Sequence, residues 1–281
     1  MISFALANPT AELAQAQSAE SLATTVLAAA IVAVCFWIYL RIFRPLLAGR
    51  GKVSSEAFGI PDAMLVTLLV TWLGGLAMRG FMSGAKARPM TNADVIQSAI
   101  LFGVIVGGIA VFLKIRQVGI RELFGFGRVK LPRALGTGIV LLLAAYPLIA
   151  LCSAITQSVL GDKAEPQEIV KYFQEAANRS DRWSLILTAF VGVFVAPFAE
   201  EFIFRGYIYG VIKRYLGVPV GLVFNALLFG AIHLNAPALP SLFVLALCFT
   251  LAYEATGSLL VPMIMHGLFN AVMLGAIFYS S

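Results

Sequence analysis

Charge is scarce in this sequence. Asp, Glu, Lys and Arg make up 12% of its 281 residues, about half the share found in an ordinary soluble domain. Hydrophobic residues account for 60%, and the mean hydropathy is +0.91. A water-soluble fold cannot hide that much apolar surface, so lipid must solvate part of it. Cysteine is scarce too. Cys35, Cys152 and Cys248 all lie in apolar runs and form no CxxC pair. That argues against a disulfide frame or a zinc knuckle and leaves three small buried hydrophobes. Lys and Arg are missing from the first 20 residues, so a cleaved secretory leader, which needs a basic start, is not expected. There is no internal repeat and no low-complexity tract. The net charge of +6 would suit nucleic acid, but the basic residues sit in short loops between apolar runs. Membrane orientation produces that pattern, and no nucleic-acid partner is expected.

What the chain does have is long apolar runs. A helix needs about 20 such residues to cross the hydrocarbon core. Residues 22–40, 61–82, 93–113 and 134–160 give four crossings. A fifth starts near Trp183 and runs through Pro197 towards Tyr215, and 219–234, 241–255 and 258–279 complete the set. The expected fold class is therefore all-α, a polytopic membrane helix bundle of about eight transmembrane helices embedded in the lipid bilayer. Residues 1–182 are read as N-terminal crossings plus an amphipathic connector, and 183–281 as the C-terminal helices, in one integrated membrane domain. Basic loops 41–60 (Arg41, Arg44, Arg50, Lys52) and 114–133 (Lys114, Arg116, Arg121, Arg128, Lys130, Arg133) are expected to face the cytoplasm. The loop with Arg79, Lys86 and Arg88 then falls outside, against the trend. Between Glu165 and Arg182, charged and apolar residues alternate at helical spacing. This segment reads as an amphipathic helix lying on the membrane, capping the bundle, or simply connecting two crossings.

Ionisable side chains inside a membrane helix are costly and need a reason. Nearly all of them fall in the C-terminal third: Glu200, Glu201, Arg205, His233, Glu254 and His266, including both histidines of the chain. Residues four apart share a helix face, so Glu201 and Arg205 can neutralise each other. Glu200 lies about 100° further round. Left without that partner, it is free to exchange a proton as a general base must. Counting about 1.5 Å per residue from Lys213 and from Pro219 puts Glu200 and His233 at one depth, roughly 20 Å in, with His266 shallower. Pro197 should kink its helix and free backbone carbonyls one turn before Glu200. Glu254 lies near a helix end and is read as structural, reaching back to the interface.

The stretch Glu200-Glu201-Phe202-Ile203-Phe204-Arg205-Gly206 resembles the EExxxR motif of the CAAX-prenyl-protease and bacteriocin-processing (CPBP) family of intramembrane proteases. Phe229–His233 resembles its FxxxH motif and His266–Asn270 its HxxxN motif. The resemblance covers about residues 183–275. It implies an intramembrane endopeptidase that hydrolyses peptide bonds with a Glu-activated water. In that scheme Glu200 and His233 activate the water, His266 and Asn270 stabilise the oxyanion, and Glu201 and Arg205 brace the site. It implies a protein or peptide substrate near the membrane surface, with lipidated CaaX proteins among the family's substrates. It leaves the metal open: the family has been regarded as glutamate-dependent without a metal, the reading preferred for this chain, and as metallopeptidases. A zinc ion would take Glu200, His233 and His266. Two other functions stay in view. Buried Glu and His residues also form proton relays in proton-coupled transporters, although no matched broken helices appear in two halves. A non-catalytic membrane scaffold would use the same residues as structural pairs.

Overall fold

The computed structural model describes residues 9–83, 89–161 and 167–280. Its helices are α1 (Pro9–Leu47), α2 (Ile60–Ser83), α3 (Asn92–Ile115), the single turn α4 (Ile120–Leu123), α5 (Leu131–Leu160) and α6 (Glu168–Asn178). They continue with α7 (Arg182–Phe190), α8 (Ala196–Glu200), α9 (Tyr209–Ile232), α10 (Leu239–Thr256) and α11 (Leu260–Ser280). Two π-helical stretches, Val191–Val195 and Glu201–Ile208, flank α8. No strand occurs among the described residues. Lys86, Arg88, Glu165 and the first eight residues, all part of the sequence expectations, lie outside the described residues.

Among the described residues, seven helices are long and apolar enough to cross a bilayer, against about eight expected. The difference lies in one continuous run, Arg182–Ile232, of 51 residues. At about 1.5 Å per residue it would be roughly 75 Å long, more than twice the hydrocarbon thickness. It is broken at Gly217, whose φ of 82° is a left-handed conformation that glycine adopts freely. The chain then turns back on itself. A Cβ built on Gly221 would lie 3.0 Å from the Tyr209 ring. The two expected passes are thus the two arms of one bent run.

Local chemistry sets several helix ends. Asp94 accepts hydrogen bonds from the Thr91 backbone N–H (2.9 Å) and hydroxyl (2.7 Å), fixing the start of α3. Pro132 occupies the first turn of α5, where no backbone donor is needed. Asp181 caps α7, accepting from the Ser184 hydroxyl (2.6 Å) and backbone N–H (3.2 Å). These bonds hold its carboxyl below the usual range. Gly257, at φ 67°, ends α10. The first and third helices run further than expected, so Arg41 and Arg44 belong to the last turns of α1 and Lys114 to that of α3.

Three turns meet at one end of the bundle, those after α1, before α5 and before α11, and the first two carry Lys52 and Arg128. Lys52 N–H donates to Glu254 O (3.1 Å), Arg128 Nη1 to Lys52 O (2.6 Å), and Leu259 N–H to Phe124 O (2.9 Å). Glu254 does not reach out to an interface as expected. It is 1% exposed and accepts from Lys213 Nζ (2.6 Å), Tyr209 Oη (2.6 Å) and Val53 N–H (3.3 Å). Two elements, α9 and the turn after α1, supply three donors that make an inward carboxylate acceptable. At the opposite end α6 buries Tyr172, Phe173 and Ala176. Tyr172 Oη bonds Asn92 (2.9 Å) and Ser184 (3.1 Å). This packing fits the capping reading of the amphipathic segment.

The core concentrates on the C-terminal helices. Phe204, Tyr207, Tyr209, Phe229, Phe249 and Tyr253 are fully buried, whereas α1, α2 and α3 leave rows of Leu, Val, Met and Trp exposed. In lipid there is little hydrophobic drive between helices, so packing and interhelical hydrogen bonds hold the bundle. Tyr39 Oη to Leu141 O (2.7 Å) and Ser153 to Ser241 (2.8 Å) are two such bonds.

Candidate active site

Proline at 197 has no N–H to offer the preceding turn, and the chain widens there into a π-helical stretch. The carbonyls this releases are used by α11. Asn270 Nδ2 donates to Gly192 O at 2.7 Å. One turn earlier on α11, a Cβ on Gly267 would lie 2.8 Å from Val193 O, so only glycine allows this approach. The contact brings His266 against the start of the second π-helical stretch.

A buried polar chain results. Arg205 Nη1 donates to Glu201 Oε1 at 2.9 Å, and His266 Nδ1 lies 2.9 Å from the same oxygen. A carboxylate oxygen only accepts, so His266 carries its proton on Nδ1 and turns the Nε2 lone pair the other way. That nitrogen lies 3.9 Å from Glu200 Oε2. The gap is too long for a direct hydrogen bond, and Glu200 Oε2 has no hydrogen-bond partner. Glu201 and Arg205 are fully buried, and Glu200 and His266 nearly so. Aromatic faces complete the enclosure. The Arg205 guanidinium carbon is 4.2 Å from the Phe229 ring centroid and 5.3 Å from that of Phe249. The His266 ring packs 5.1 Å from Phe249 and 5.9 Å from Phe229.

His233 ends α9, half-buried, with its ring 4.7 Å from Phe229. Its Nδ1 is 2.6 Å from Phe229 O. A carbonyl also only accepts, so Nδ1 holds the proton and Nε2 keeps its lone pair. Glu200 and His266 are close enough to act on His233 electrostatically. Of the six residues picked from sequence, the fold joins Glu201, Arg205 and His266 by hydrogen bonds and sets Glu200 3.9 Å from His266. Phe229 joins His233 to them, and Asn270 stands one turn along α11. Counting along the sequence set His266 shallower than Glu200, yet the fold brings the two within 3.9 Å; α11 starts inside the bundle, with Leu259 fully buried and its N–H bonded to Phe124 O. The hydrogen bond from His266 to Glu201 was not foreseen, nor was Phe249. Nothing in the local sequence marks either.

The zinc set Glu200, His233 and His266 does not form a metal site as the residues stand. Among the described residues no three His, Cys, Asp or Glu side chains gather closely enough to hold a metal ion.

A helical membrane bundle enclosing two carboxylates, two histidines and an arginine defines the class of this protein: a polytopic membrane protein with a cluster of ionisable side chains between its helices. Residues 182–272 match the family model described as type II CAAX prenyl endopeptidase Rce1-like. The matched segment contains every residue of the cluster, in agreement with the CPBP resemblance. No curated protein and no solved structure matches the chain.

Proposed function

We propose that the protein is an intramembrane endopeptidase of the CAAX type that hydrolyses its substrate with a water activated by Glu200. The observation that carries this reading is the unpartnered Glu200 Oε2, 3.9 Å from a His266 whose other nitrogen is held by Glu201. Groups at that spacing are suited to sharing a water molecule. Glu200 takes a proton from the water as its oxygen attacks the peptide carbonyl carbon. The oxyanion that forms needs donors, and this reading assigns them to the second N–H of Asn270 and to His266 in its protonated form. Glu200 then passes its proton to the amide nitrogen as the C–N bond breaks, which restores the carboxylate. Glu201 and Arg205 fix the tautomer and orientation of His266. No step requires a metal. The substrate is a protein or peptide at the membrane surface, lipidated in the manner of CaaX proteins. The basic loops are read as cytoplasmic, which places α6 on the far side. The carrier and scaffold alternatives have no observation in their favour.

The test compares peptide termini by mass spectrometry in membranes with wild type or Glu200→Gln at equal expression. Termini unique to the wild type are expected, because the amide keeps the shape but cannot accept the proton. Identical profiles would defeat the reading.

A further inference from the structure

Asp62 is a buried charge outside the cluster. It sits in the first turn of α2, at the basic end of the bundle, and is fully buried. It pairs with Arg116 at the end of α3 and accepts from Gly59 N–H at 2.7 Å. Those two partners would suffice for a helix cap with a neutralised charge. The third partner reaches inward. Tyr207 Oη donates to Asp62 Oδ1 at 3.2 Å, and the tyrosine ring meets Phe58 edge-on at 5.8 Å. Tyr207 is fully buried and lies in the π-helical stretch Glu201–Ile208, two residues after Arg205.

A π-helical turn holds more residues than an α-helical one, and such turns occur mostly as short interruptions. A shift in this stretch would rotate Glu201 away from His266. Two side-chain anchors fix it. One is the Arg205–Glu201–His266 chain; the other is Tyr207 bonded to Asp62. We propose that Asp62, acting through Tyr207, is a positioning residue that holds the π-helical segment in the phase that aims Glu201 at His266. This rests on the endopeptidase reading for its catalytic consequence, but not for its structural one.

Tyr207→Phe isolates the idea, since it leaves the Gly59 cap and the Arg116 pair intact. The full chain is assayed in lipid nanodiscs on an internally quenched farnesylated CaaX peptide, with Glu200→Gln as the blank. The expected result is a kcat lower by roughly 10-fold with KM changed less than about twofold, as misplacement of a catalytic group produces. Asp62→Asn should behave alike, and the double variant should be no worse than either single one. Hydrogen exchange of amides 201–208 should quicken in Tyr207→Phe. An unchanged kcat, or additive losses in the double variant, would overturn the proposal. If wild type does not exceed Glu200→Gln, the endopeptidase reading fails on this substrate and exchange alone decides. Faster exchange confined to 201–208 then upholds the clamp, and unchanged exchange overturns it.

Discussion

Arg205 is the residue whose surroundings say most. It is fully buried, paired with Glu201 and packed on two phenylalanine rings. Arginine suits this position because its flat guanidinium can stack and bond at once. Arg205→Ala would leave Glu201 charged and without its partner in an apolar interior. Breaking a buried pair in this way costs about 3–5 kcal/mol. A markedly lower melting temperature in detergent is therefore expected, with activity lost as His266 loses its anchor. An unchanged melting temperature would contradict the pairing. The i, i+4 spacing of Glu201 and Arg205 made this pair readable from sequence. Glu200 is legible in the same way, as the carboxylate the pair leaves over. Asp62 was not, because its partners Arg116 and Tyr207 lie 54 and 145 residues away.

At the scale of elements, the two π-helical stretches around α8 do the positioning. Pro197 predicts a disturbance, and Asn270 and Gly267 show how α11 exploits it. Gly267→Ala would force a methyl group to within 2.8 Å of the Val193 carbonyl oxygen, a backbone atom with little freedom to move. Overpacking of this kind costs about 1–3 kcal/mol. Because His266 is the adjacent residue, activity should fall more than stability does. Paired melting and turnover measurements check this, and full activity in the alanine variant would refute the close approach. The bent run Arg182–Ile232 carries a similar lesson. Gly217 and Pro219 mark a turn in the sequence, but whether the arms separate into two passes depends on the return packing of Gly221 against Tyr209.

At the scale of the whole molecule, the cluster lies among helices that are far apart in sequence, and Glu200 Oε2, Glu201 Oε2 and Arg205 Nε are buried in it without a hydrogen-bond partner. The chemistry proposed for it uses only the chain's own side chains. Exhaustive chelation of purified protein should therefore leave turnover unchanged; loss of turnover restored by added zinc would overturn the metal-free scheme. The sequence by itself determined that the chain is a helical membrane protein, because apolar runs of bilayer length leave no other way to satisfy the backbone. It also picked out five of the six candidate site residues, because ionisable groups inside such runs are rare enough to stand out, while Asn270 came from the motif resemblance. Tertiary structure alone decided which oxygen faces which nitrogen. It brought His266 to Glu201, left Glu200 without a hydrogen-bond partner at its Oε2, and buried Asp62 and Glu254 among distant donors. Periodicity records which residues share a face of one helix. It carries no information about the approach of two helices, which depends on close contacts such as that of Gly267 with the Val193 carbonyl.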